Sequence, residues 1–190
     1  MRKLFFILIV ISLIVSCKKE NNKEAREILP LKVGNYWLYK YIYVEESETT
    51  LVDTFRMEVV AQKNDTFYLT GSLFVLDEDL TQEETIKVFL LDTFYLTYTN
   101  DEPDTQLILP LKIKKSWRVN EDFVAEIISL EDININNTRY SECWLINYQN
   151  EDGDIQKSLW LKEKIGIVKF KKEEDEEVTV LELKEYNIKN

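Results

Sequence analysis

Tyr36-Trp37-Leu38-Tyr39-Lys40-Tyr41-Ile42-Tyr43-Val44 decides the fold class. The run is dense in aromatic and β-branched residues, which favour a pleated, half-buried surface over a helix. Its periodicity is two, not 3.6. Working outward, Thr54 to Ala61 alternates too, with Phe55, Met57 and Val59 on one face and Arg56 and Glu58 on the other. Strand-like runs follow at Thr66–Leu76, Thr85–Leu91 and Phe94–Thr99, then at Phe123–Leu130, Tyr140–Tyr148, Ile155–Leu161, Gly166–Lys171 and Val178–Tyr186. Turn-like clusters separate them: Lys63-Asn64-Asp65, Asp77-Glu78-Asp79, Asn100-Asp101-Glu102-Pro103-Asp104, and Asn150-Glu151-Asp152-Gly153-Asp154 with Gly153 available for positive φ. This spacing predicts an all-β fold: an antiparallel meander sheet, open or partly closed into a half-barrel-like form.

The body also repeats itself. Leu29-Pro30-Leu31-Lys32-Val33-Gly34-Asn35-Tyr36-Trp37 returns 80 positions later as Leu109-Pro110-Leu111-Lys112-Ile113-Lys114-Lys115-Ser116-Trp117. Landmarks recur in the same order downstream. Phe55-Arg56-Met57-Glu58 answers Phe123-Val124-Ala125-Glu126, and Lys87–Leu91 answers Lys157–Leu161. Two pseudo-repeated halves follow, about 29–100 and 109–186, each an entry segment and about five strands. Leu-Pro-Leu forces an extended entry, its leucines can plug a sheet end, and a buried Trp can pin the entry to the first strand.

The segment Pro30–Tyr39, with Lys164-Ile165-Gly166-Ile167-Val168-Lys169-Phe170 near the C-terminus, resembles an uncharacterised Bacteroidota-type lipoprotein family. There a PLKVGNxW entry motif opens the domain and a GxGLVK-like strand sits late. Ile165 stands where the first Gly of that strand is usual, and Lys114 replaces Gly in the second entry segment. The resemblance implies a sheet-rich fold like the half-barrels of lipoprotein carriers. It brings no catalytic residues.

The N-terminus specifies location. Arg2 and Lys3 precede the apolar run Leu4–Val15, broken only by Ser12. A membrane-spanning helix needs roughly 20 apolar residues, so this run fits a secretory h-region instead. Ile14-Val15-Ser16-Cys17 resembles the bacterial lipobox, which implies cleavage between Ser16 and Cys17 and acylation of Cys17. More than one acyl chain makes such anchoring stable. The expected organisation is a lipoprotein signal peptide at 1–16, a polar tether at 17–28 and a single β domain at 29–190. Removing residues 1–16 takes away Arg2 and Lys3 and no acid, leaving 35 acidic against 22 basic side chains, a net charge of −13. Lys19-Glu20 looks like part of a Bacteroidota surface-export signal. The expected location is the outer membrane, with periplasmic or surface orientation open.

Composition excludes several chemistries. The chain has no His, so a Ser-His-Asp triad and a His-bearing metal cage are impossible. Its four glycines cannot form a phosphate-cradling loop. The negative charge argues against nucleic acid. The acids cluster in turns, as at Glu45-Glu46 and Glu173–Glu177, where solvated loops are the ordinary reading. Cys143 lies in a strand-like run and reads as a small buried hydrophobe. No cofactor, metal or catalytic residue is expected. One face of an alternating sheet must pack on something. Either the aromatics fill a core, or they line a ligand face, for which Trp37, Trp117, Tyr39 and Tyr41 are the candidates. The expected role is therefore non-enzymatic binding of an apolar small molecule. The alternative is a structural or interaction component of an envelope complex. The membrane is the partner expected through the N-terminal lipid.

Overall fold

The computed structural model describes residues 27–46, 48–71, 85–91, 93–99 and 102–189. The signal peptide, Ser16, Cys17, most of the tether and the 72–76 part of the third strand-like run lie outside the described residues. Among the described residues, twelve strands follow in chain order. The first six are β1 (Tyr36–Glu45), β2 (Glu48–Lys63), β3 (Thr66–Thr70), β4 (Thr85–Leu91), β5 (Phe94–Thr99) and β6 (Glu102–Ile108). The second six are β7 (Ser116–Arg118), β8 (Val124–Ile135), β9 (Thr138–Gln149), β10 (Ile155–Lys162), β11 (Gly166–Glu174) and β12 (Glu177–Asn187). All neighbours pair antiparallel in one sheet of order β6-β5-β4-β3-β2-β1-β12-β11-β10-β9-β8-β7.

That order is two six-strand halves laid head to tail. The expectation of about five strands per half missed β6 and β7. The join between β1 and β12 is paired from Tyr36↔Asn187 to Glu45↔Glu177. The equivalent meeting of β6 and β7 is a nearly closed seam. There the Thr105 amide donates to the Val119 carbonyl at 2.9 Å, Trp117 Nε1 donates to the Thr105 carbonyl at 2.9 Å, and the Tyr148 hydroxyl reaches the Gln106 carbonyl at 2.9 Å. The sheet thus curls into a barrel with one lightly stitched side.

The repeated entry segment has a repeated geometry. Gly34 and Lys114 both take positive φ, 83° and 66°. Their amides donate to the carbonyls of Val59 and Ile127 respectively, each at 2.8 Å. Asn35 Nδ2 donates to the Pro30 carbonyl at 2.6 Å, and Lys115 Nζ does the same for the Pro110 carbonyl at 3.0 Å. Two different side chains satisfy the same orphan acceptor. The two halves also meet at or just before each entry segment: Leu109 donates its amide to the Thr93 carbonyl, and Lys164 donates its amide to the Glu27 carbonyl. The turns match local chemistry. Asn136 and Asn137 both take positive φ, 48° and 66°, as a two-residue type I′ hairpin requires between Ile135 and Thr138.

Among the described residues the interior is one continuous buried core. Trp37, Tyr39, Phe67, Tyr95 and Phe170 are among its largest fully buried side chains, packed with Leu29, Met57, Leu69, Leu107 and Ile127. Burial of this apolar area is the main stabilising term, at roughly 25 cal/mol per Å².

Candidate functional site

The sequence-derived candidates do not share one surface. Trp37 and Tyr39 are wholly buried and Trp117 nearly so. Their polar tips are taken by backbone. Trp37 Nε1 donates to the Ile165 carbonyl at 2.5 Å, and the Tyr39 hydroxyl donates to the Ile167 carbonyl at 2.8 Å. Trp37 therefore pins the β10–β11 turn of the opposite half. Tyr41 alone stands at the margin, half-buried and packed against the core.

From Tyr41 the inner face continues past the filled floor. Strand register defines its rows. The floor row runs Tyr41, Leu181, Phe170, Leu159, Ile146 across β1, β12, β11, β10 and β9. The next row runs Leu51, Tyr43, Thr179, Lys172, Lys157, Tyr148 from β2 to β9. Beyond it, Glu45, Glu177 and Glu174 face one another at the strand ends. The floor row is buried from Leu181 to Ile146. In the second row Tyr43, Thr179, Lys172 and Lys157 are half-buried, and Leu51 is 48% exposed. The row is filled only near the seam, by Tyr148 and Ala125.

Here the mouth opens into a recess of about 950 Å³ lined by Glu45, Glu46, Asp154, Ile155, Gln156 and the β11–β12 turn. Its walls are the three hairpin turns the sequence marks with acids. Glu46 and Asp175 occupy turn positions with φ of 48°. A hydrogen bond to Glu177 holds the Tyr43 phenol protonated, with burial adding, and raises its pKa to about 12. Lys172 Nζ lies 2.7 Å from Glu174, and Lys157 Nζ lies 5.3 Å from the Phe123 ring centroid. Among the described residues no group of three or more acid or cysteine side chains is arranged to hold a metal ion. Lys157 and Lys172 escaped the sequence reading because their adjacency depends on the β10–β11 register.

Cys143 is fully buried, its Sγ 3.6 Å from the Tyr140 carbonyl. Burial pushes its thiol up to about 11, from an ordinary value of 9.0. The thiolate, not the thiol, is the nucleophile. In the native protein Cys143 is expected to resist an aromatic disulfide reagent at pH 8 and to react at once in denaturant. Rapid native labelling would contradict its placement. The raised value also links to stability. The contribution is complete below about pH 9 and falls away as pH rises through about 11.

No protein-family model matches the chain, and no curated protein matches it. Solved structures give distant likenesses. A LolA superfamily protein from Nitrosomonas europaea is 13% identical, over 91% of this chain and 94% of that one, with a TM-score of 0.33. An outer membrane lipoprotein-sorting protein domain from Vibrio parahaemolyticus is 9% identical over 90% of each chain, with a TM-score of 0.31. A DUF1329 family protein from Desulfovibrio piger is 10% identical, over 90% of this chain and 92% of that one, at 0.24. Nothing about this chain's ligand follows from them.

Proposed function

We propose that the chain is a lipid-anchored bacterial envelope protein that binds an apolar molecule, without chemistry, at the open mouth of its barrel. One observation carries the binding reading. The inner face continues as a half-exposed row, with Tyr43 and Leu51 at its apolar end, past a buried floor row. A sheet face left partly bare on the inner side of a curled sheet gains by covering that surface. The absence of His and the protonated Cys143 thiol favour binding over catalysis. The lipobox at Ile14–Cys17 supports the anchor.

Two measurements test this. Cys17→Ala is expected to move the protein from the membrane fraction to the soluble fraction and to abolish palmitate incorporation. Native mass spectrometry of that soluble protein is expected to show a copurified apolar adduct, lost on organic extraction. A protein that stays acylated sinks the anchor. A clean unliganded mass, with no uptake of added alkyl alcohol, sinks the binding role.

A second reading has its own observation. Leu51 and Val52 are 48% and 57% exposed on opposite faces of the β1–β2 hairpin. That favours a protein contact at the hairpin. Replacing Val52 with Asp would abolish such a contact while sparing the inner face.

A further inference from the structure

We infer that the end of the barrel opposite the mouth docks on an anionic lipid bilayer, with the exposed side chains of Val33 and Ile113 entering the headgroup layer and Lys112 and Lys114 meeting its phosphates. The direction of the bilayer rests on the lipid anchor proposed above. The surface itself rests on the described residues.

Antiparallel register brings both entry segments to this one end. Tyr36 at the start of β1 stands level with Asn187 of β12, and Phe94 at the start of β5 stands level with Ile108 of β6. The two halves repeat one apolar device there. The Gly34 and Lys114 amides bond the carbonyls of Val59 and Ile127. The residue after each acceptor, Val60 or Ile128, is the extra residue of a β-bulge, a device that re-aims a side chain. Val33 with Val60, and Ile113 with Ile128, are all between 38% and 46% exposed. Leu91 and Phe94, on either side of the Thr93 that receives the Leu109 amide, are exposed as well. A single exposed aliphatic residue is ordinary, but the same pair bared at equivalent places in both repeats marks an interaction surface. The β8–β9 hairpin at this end turns Ile135 into the core and shows outward a neutral surface, the Asp132–Arg139 pair with Asn134, Asn136 and Asn137.

Charge separates along the barrel. Residues 29–35 and 109–115 hold Lys32, Lys112, Lys114 and Lys115 and no acid. Lys115 is committed to the Ile108 and Pro110 carbonyls, whereas Lys112 and Lys114 are exposed. The segments beside them mix signs, with Lys63 near Asp65 and Lys162 and Lys164 around Glu163. The three turns at the mouth, 45–46, 150–154 and 173–177, hold ten acids and no base. An anionic surface therefore repels the mouth and attracts the entry end.

The tether begins at the same end. The Glu27 carbonyl is held by the Lys164 amide in the β10–β11 turn. Cys17 lies ten positions earlier, a reach of at most about 35 Å. An acyl chain on Cys17 would hold the entry end beside the bilayer and leave the mouth facing away. The two apolar pairs sit against β1 and β7, six strand positions apart in the sheet. A broad, flat partner covers both at once, and a bilayer is one.

The test uses the acylated chain in vesicles of phosphatidylglycerol or of phosphatidylcholine, with a fluorophore placed through Val33→Cys, Ile113→Cys or Asp152→Cys. All three positions are exposed, and Cys143 is buried away from the label. Nitroxide-bearing lipids quench the fluorophores they touch. In phosphatidylglycerol, emission from positions 33 and 113 is expected to fall at least about twofold, as for groups at headgroup depth, with position 152 unchanged. Lys112→Gln combined with Lys114→Gln should return position 113 to its level in phosphatidylcholine. A chain that proves not to be acylated is added to the same vesicles from solution, and the same pattern is expected. Quenching at 152 as strong as at 33 and 113, equal quenching on the two lipids, or none at any position overturns the inference. Labels at 33 and 113 shielded from water but unquenched would give this end to a protein partner and overturn it too. Palmitate incorporation reads the anchor independently, so the anchor and the docking face fail separately, and neither result bears on binding at the mouth.

Discussion

Trp37→Ala is expected to lower stability by about 3–5 kcal/mol, the cost of deleting a large buried aromatic. Trp37 sits in β1 opposite Met57 and Tyr186. It is wholly buried, and its indole N–H ties the Ile165 carbonyl of the other half. One side chain therefore joins the entry strand of the first half to the β10–β11 turn of the second. Trp37→Phe separates the terms, since it keeps much of the packing and strands the carbonyl, for about 1–2 kcal/mol. Trp117 holds the equivalent place at the looser seam. Its loss should cost less overall and should appear as faster amide exchange in β6. Denaturant unfolding followed by circular dichroism reads the first effect, and hydrogen exchange the second. Equal costs for both tryptophans would contradict the difference between the paired join and the stitched seam.

Gly166→Ala is expected to cost about 2–4 kcal/mol, with two causes adding at this position. Its φ is +98°, a region that strains any residue with a Cβ by about 1–3 kcal/mol. A Cβ there would also stand 2.9 Å from Leu29 Cδ1 and 3.3 Å from Trp37 Nε1, so both buried side chains would have to give way. Gly153 isolates the first cause. Its φ is +87°, and a Cβ added there would meet nothing within 4 Å, so Gly153→Ala should show only the backbone strain. Thermal unfolding of the two variants side by side measures the difference. A Gly153→Ala loss as large as that of Gly166→Ala would show that crowding at Leu29 contributes nothing.

Much of the fold was legible because the chemistry is local. Alternation sets β1, β4 and β5 to within a residue, and the Leu-Pro-Leu-Lys repeat marks the two halves independently of strand pairing. β6 was not legible, because Pro103 among Asp101, Glu102 and Asp104 has turn composition. Proline lacks an N–H, and β6 is the edge strand where that lack is tolerated. β7 was hidden for another reason: three residues around Trp117 carry no period. β8 runs to Ile135, farther than its apolar alternation, since Asp132 and Asn134 project from an exposed hairpin face. The site was read less well than the fold. Composition points to aromatics, but it cannot tell a packed Trp37 from a half-exposed Tyr43. That difference depends on where the long strands outrun the core. The pairing of Lys157 with Lys172 depends on register, which a bulge between Trp160 and Leu161 adjusts.

Backbone chemical-shift mapping of the soluble Cys17→Ala protein during titration with dodecanol tests the central claim most directly. The expected result is a set of saturable shifts confined to the mouth, in Tyr41–Glu45, Leu51–Asp53, Ile155–Lys157 and Lys172–Thr179, with Trp37, Tyr39 and the β6–β7 seam undisturbed. Shifts gathered on the outer face or the seam, or no saturable shifts at all, would contradict an open mouth above a filled floor as the place where this protein binds.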